Sequence, residues 1–157
     1  MKFDRYAKGY DAGWQGTKSA RFYDDLIKEL DIQPNDAVLD VARKKNPGFD
    51  FRLGDSKKLP YADSSMDVIM ACMAYHHFAD QKSFREEARR VLKSNGRLYI
   101  CDPRFPWIVR TFFNTRFKDA GFRSTKQNAA DFTESGFQVE RIAKDLYVQV
   151  VVLRRNQ

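Results

Sequence analysis

The sequence predicts an α/β domain: a mainly parallel sheet with helices on both faces, ending in an antiparallel hairpin. Three observations carry this. Short apolar runs alternate with amphipathic helical stripes along the chain, the pattern of a layered α/β domain. The run Asp67 to Met73 (DVIMACM) is apolar almost throughout, as expected of a strand covered on both faces. At the C-terminus two strand-like runs are separated only by Lys144-Asp145, which implies a hairpin.

Taken in order, Ser19 to Leu30 places Phe22, Tyr23, Leu26, Ile27 and Leu30 on one helical stripe with charges opposite. Gln33-Pro34-Asn35-Asp36 stops it, and Ala37 to Val41 follows as a short strand. Phe49 to Leu53 is a second strand, closed by Gly54-Asp55, and Asp67 to Met73 is the central one. Asp80 is the expected N-cap of a helix from Gln81 to Lys93, with Phe84, Ala88, Val91 and Leu92 inward and Asn95-Gly96 as its stop. Arg97 to Cys101 is the next strand. Pro106 to Phe117 is dense in aromatics and reads as hydrophobic core or, less simply, as the wall of an apolar pocket. A helix over Thr125 to Ser135 ends at Gly136, and Phe137 to Ala143 and Leu146 to Leu153 form the hairpin.

The 157 residues suit one domain, residues 1–157, large enough to bury a core without disulfide or metal staples. With 43% hydrophobic residues the chain is a folded protein and not a disordered tail. No apolar run approaches the roughly 20 residues of a membrane helix, so no membrane insertion is expected. The polar, acid-interrupted N-terminus does not read as a secretory signal. Cys72 and Cys101 sit in apolar runs with no metal-type spacing; they read as reduced thiols of a cytoplasmic protein. The excess of 28 Lys and Arg over 21 Asp and Glu is scattered rather than striped, which argues for a solvated surface over a nucleic-acid face.

Several ordered fragments resemble one family. Asp67-Val68-Ile69, Tyr75-His76-His77-Phe78 and the stretch Glu87 to Leu98 are similar to the second half of a class I S-adenosylmethionine-dependent methyltransferase. Gly54 to Asp63 resembles the segment that precedes that half, and Val38 to Val41 the strand leading into the glycine-rich cofactor loop. Phe3 to Asp11 resembles the N-terminus of the small-molecule branch, which includes quinone-biosynthesis enzymes. The resemblance implies a Rossmann-like sheet, S-adenosylmethionine as cofactor, and methyl transfer to a small-molecule acceptor by direct displacement, without a metal.

One departure is large. In the family the first strand enters a glycine-rich turn, then a helix, an acid-ended strand and a second helix; here Val41-Ala42 meets Arg43-Lys44-Lys45-Asn46-Pro47 at once. Eight residues separate Asp40 from Phe49, whereas a parallel crossover with its helix needs roughly 10–12 or more. An internal segment near residues 41–43 is therefore expected to be missing. A stretched Cα–Cα separation there, against ~3.8 Å for a peptide, would mark a gap, and an ordinary bond would mark a true deletion. A deletion would favour a degenerate, non-catalytic module. An RNA-binding or RNA-modifying protein is a further alternative, motivated by the charge of +7.

The candidate site residues follow from the resemblance. Asp40 ends a strand on the crevice side of the sheet, where the resemblance implies contact with the cofactor loop and the methionine amino group; otherwise it caps the next turn. Asp55 and Ser56 are implied to hold the adenine edge, a carboxylate accepting from the exocyclic amine; alternatively Asp55 turns the chain after Gly54. Cys72 and Met73 would border the sulfonium, unless Met73 is core filler. Tyr10, with Tyr6, resembles lid tyrosines over the cofactor; otherwise they are amphipathic aromatics that pack a terminal segment on the domain, a reading that explains Tyr6 equally well. His76 and His77 are the only histidines and could take a proton from a substrate nucleophile near neutrality, although a polar helix-start turn with one ring half buried is the preferred explanation of the pair. Asp102-Pro103-Arg104-Phe105 reads as a turn.

Overall fold

The computed structural model describes residues 38–40, 55–117, 120–144 and 146–156, and for 38–40 the backbone alone. The helix expected over Ser19 to Leu30, the strand over Phe49 to Leu53, Tyr10 and the junction at 41–43 lie outside these residues.

The elements run β1 (Val38–Asp40), β2 (Met66–Cys72), a 3-10 turn (Tyr75–His77), α1 (Gln81–Val91), β3 (Leu92–Pro103), α2 (Trp107–Arg116), α3 (Thr125–Glu134), β4 (Phe137–Lys144) and β5 (Val148–Arg155). The described strands form one sheet of order β1-β2-β3-β5-β4. β1, β2 and β3 are parallel, with Leu39 opposite Ile69 and Ile69 opposite Leu98. β5 and β4 then pair antiparallel as the expected hairpin.

Period-two alternation sorts the strand residues onto two faces. Ile69, Ala71, Leu98, Ile100, Val151 and Leu153 join Phe84, Ala88 and Val91 of α1 and Phe132 of α3 in one buried cluster. Val68, Cys72, Tyr99, Cys101, Val150 and Val152 form a second on the opposite face. Both cysteines are buried and outside any disulfide, and Cys72 stands opposite Cys101 on the neighbouring strand.

Local signals place the helix ends. The Asp80 carboxylate accepts the Ser83 N–H at 3.0 Å and starts α1. A reciprocal capping box between Ser124 and Gln127 starts α3. α1 ends two residues earlier than expected, because Leu92 already pairs with Met66; the ladder then skips to Val68 opposite Arg97. Residues 93–96 bulge out between these two pairs. Gly96 sits in that bulge because a Cβ there would lie 2.9 Å from the Asp67 carbonyl oxygen. The hairpin is shifted as well: β5 starts at Val148 and runs to Arg155, where pairing with Phe137 carries it past the apolar run.

Two expectations are corrected. Pro106 to Phe117 is not core: it forms α2, in which no residue is buried. Among the described residues it is held by Phe113 against Phe105 and Phe122, with ring centroids 5.4 and 5.9 Å away, and by Asn114, whose side-chain amide donates to the Phe122 carbonyl and accepts the Phe122 N–H. Asp102 and Pro103 are not a turn but the last two residues of β3, paired with Gln149 and Val148.

Candidate active site

Parallel strands bring their C-terminal ends to one edge, and α/β ligands bind in the crevice beyond that edge. β1 contributes Asp40, in register with Met70 on β2; β2 ends two residues later at Cys72, opposite Cys101. Asp40, Cys72 and Met73 therefore share one edge. Met73 turns the chain there with a φ of 53°, a left-handed conformation rare for a side chain of this size. Its N–H is held by the Cys101 carbonyl at 2.7 Å. Cys72 is buried and faces the second cluster, and Met73 is half-buried beside it.

The sharp turn leads into the 3-10 turn Tyr75–His77, whose side chains part company. Tyr75 is buried among Phe78, Phe84 and Phe132, and its hydroxyl accepts from Arg85 at 2.9 Å. Burial pushes its phenol above the usual range, against the opposing pull of Arg85. His76 is buried, and His77 is exposed with its ring centroid 4.0 Å from that of His76.

His76 has a partner that sequence reasoning missed. Its Nδ1 lies 2.9 Å from Oδ1 of Asp102, at the end of the adjacent strand, and both side chains are about 95% buried. Desolvation raises the Asp102 carboxyl above the usual carboxylate range, opposed by the hydrogen bond from His76. An ionised carboxylate can only accept, so while Asp102 is charged the proton sits on Nδ1 and Nε2 is the basic nitrogen. The His76 ring stacks on Phe122, 4.4 Å between centroids, and its carbonyl accepts from Gly121 at 2.7 Å.

Gly121 and Phe122 form part of the wall of a cleft of about 570 Å³ between the start of α1, α2 and the start of α3. Gln81 ties this wall together, donating to the carbonyls of Tyr75 and Gly121 at 3.1 and 2.8 Å. The His76–Asp102 pair thus lies directly behind a cleft large enough for a small molecule.

Asp55 and Ser56 lie in a tight turn bridged between Asp55 and Lys58. Asp55 is exposed, and its Oδ1 accepts the Lys57 N–H at 2.9 Å, so its carboxylate does shape the chain locally. The segment after it is clamped by α1. Arg90 donates to the carbonyls of Leu59 and Tyr61 and to Asp63, while Glu87 accepts the Leu59 N–H and both sides of the Arg90 fork. Hydrogen bonds from Arg90 hold the Glu87 carboxyl below its usual range.

Among the described residues no group of three or more His, Cys, Asp or Glu is placed to hold a metal ion. Asp55 presents an exposed carboxylate, and Cys72 and Met73 place a thiol and a thioether beside the turned backbone at the end of β2.

Residues 11–100, more than half of the chain, match the family described as a methyltransferase domain. The chain belongs to that family, of the class I S-adenosylmethionine-dependent type. Its relatives include the demethylmenaquinone methyltransferase of Chlorobaculum parvum, 38% identical over an alignment of 113 residues that covers 68% of this chain and 46% of that protein. An uncharacterised methyltransferase-like protein of Schizosaccharomyces pombe is 37% identical over an alignment of 88 residues that covers 54% of this chain and 33% of that one. The chain thus spans less than half the length of these relatives. Among solved structures, a chain from the complex between the Haloferax volcanii Trm112 methyltransferase activator and a putative methyltransferase superposes with a TM-score of 0.81. That match covers 99% of this chain and 98% of the other at 16% identity, a likeness of fold.

Proposed function

We propose that the chain transfers the methyl group of S-adenosylmethionine to a small-molecule acceptor bound in the cleft beside Phe122. The observation that carries this is the edge formed by Asp40, Cys72 and Met73, with the His76–Asp102 pair behind the neighbouring cleft wall. Family membership supports the cofactor, and relatives named demethylmenaquinone methyltransferases support a quinone-type acceptor.

What S-adenosylmethionine supplies when bound is a methyl group already activated on a positively charged sulfur. The chain's residues bind and orient. Asp55 and Ser56 hold the adenine edge, and Asp40 attracts the methionine amino group. Cys72 and Met73 line the sulfur with groups that do not compete as hard hydrogen-bond acceptors. His77, exposed at the tip of the turn, takes the proton from the acceptor's nucleophile at a ring nitrogen. His76 is a positioning residue: anchored by Asp102 and Phe122, it fixes the turn that presents His77.

The test is calorimetry with S-adenosylmethionine on the purified 157-residue chain, followed by methyl transfer to demethylmenaquinone. Binding with turnover supports the enzyme. Absence of binding supports the second reading, a non-catalytic module, which the eight residues between Asp40 and Phe49 favour.

A further inference from the structure

We infer that α2 and the β4–β5 hairpin tip form a docking surface for an anionic phospholipid membrane, laying the cleft mouth against the lipid. This goes beyond the proposed activity and does not depend on it.

The argument begins with exposure. Trp107, Ile108 and Phe112 of α2 are 59–68% exposed, and Phe117 follows them at half exposure. Ile108 and Phe112 are four residues apart and share one side of the helix, with Arg116 one turn further on. The adjoining side, Arg110, Thr111, Asn114 and Thr115, lines the cleft. Leu146 and Tyr147 at the hairpin tip are equally exposed. They belong to the same surface: the Tyr147 carbonyl accepts the Arg104 N–H at 2.7 Å, three residues before Trp107. Pro103 at the end of β3 pairs with Val148, so this surface lies at the crevice end of the sheet.

Charge identifies the occupant. Residues 103–117 carry Arg104, Arg110 and Arg116 and no Asp or Glu, and the hairpin tip adds one residue of each sign, Lys144 and Asp145. A second copy of this surface would bring cation against cation. Apolar rings flanked by long cationic side chains match a boundary with hydrocarbon on one side and anionic headgroups at its rim, where Arg stems lie along the apolar layer and Trp favours the interface. No described helix is long and apolar enough to cross a membrane, so the contact is one of lying on the surface. An acceptor that dissolves in lipid would then reach the cleft without crossing water.

The experiment floats the 157-residue chain with vesicles of equal parts phosphatidylglycerol and phosphatidylcholine, and with vesicles of phosphatidylcholine alone. The chain should co-float with the anionic vesicles, less so as salt is raised, with a blue shift of tryptophan emission that is lost in Trp107→Phe. Trp107→Ser combined with Phe112→Ser should lower partitioning roughly tenfold or more, and Arg116→Glu should remove the preference for anionic lipid. Trp107, Phe112 and Arg116 are all exposed and none of them lines the cleft, so thermal melting and S-adenosylmethionine calorimetry should match the parent. A chain that stays in solution with anionic vesicles overturns the inference, and that result needs no variant. So does vesicle binding unchanged by the substitutions. A concentration-dependent dimer, or binding of a purified acidic partner protein, that buries Trp107 while vesicles are ignored also overturns it.

Discussion

His76 and Asp102 are 26 positions apart and meet because β2 and β3 are parallel neighbours that end at the same edge. Removing one member of a buried pair leaves the other without its partner, so Asp102→Ala should cost about 3 kcal/mol in urea unfolding. The double variant His76→Phe, Asp102→Leu should recover much of that loss, and the coupling in the cycle measures the pair. The pH dependence has a definite sign. Because burial raises the Asp102 carboxyl, the folded chain holds that proton more tightly than the unfolded one. Its contribution is fully present below the unfolded value near 4 and is lost as pH rises through the folded one. Asp102→Asn should remove that slope from a stability–pH curve. His77 carries the catalytic prediction: His77→Asn should lower kcat about 100-fold while leaving S-adenosylmethionine affinity near the parent's. At this scale the sequence marked His76 and His77 but misjudged Asp102, since a partner on the next strand leaves no signature in linear spacing.

Elements show why the family fragments travel together. The fragment Leu59 to Asp63 is pinned by Arg90 and Glu87 of α1, a contact between stretches 27 and more residues apart. Arg90→Ala should cost about 2 kcal/mol and speed amide exchange across residues 59–63. Glu87 contributes with the opposite pH sign to Asp102. Its carboxyl is depressed by Arg90, so its stabilisation is present above the unfolded value near 4.3 and is lost as pH falls through the folded one; Glu87→Gln should flatten that acid limb. Gly96 reads in the sequence as a helix stop, but its burial against Leu92 and Asp67 adds a steric demand. Gly96→Ala should destabilise by about 1–3 kcal/mol, measured by thermal melting. The aromatic run of α2 was legible as a feature and wrong as core. Apolar composition reports a tendency to be covered, and only the packing tells whether anything in the fold covers it.

At the scale of the whole molecule, intact mass tests the short connection between Asp40 and Phe49: an exact match to the 18.4 kDa sequence establishes it, and a heavier chain reveals an additional crossover segment. The alternating pattern, the Asp80 cap, the apolar central strand and the closing hairpin were all readable in the sequence. Each rests on interactions within a few residues or on period-two and period-3.6 burial, which linear order encodes directly. What tertiary structure alone decided is who stands beside whom: Asp102 behind His76, Arg90 over Leu59 and Tyr61, and an apolar helix left facing outward. Those outcomes depend on strand order and register, and sheet pairing joins residues far apart through backbone bonds that carry no side-chain label.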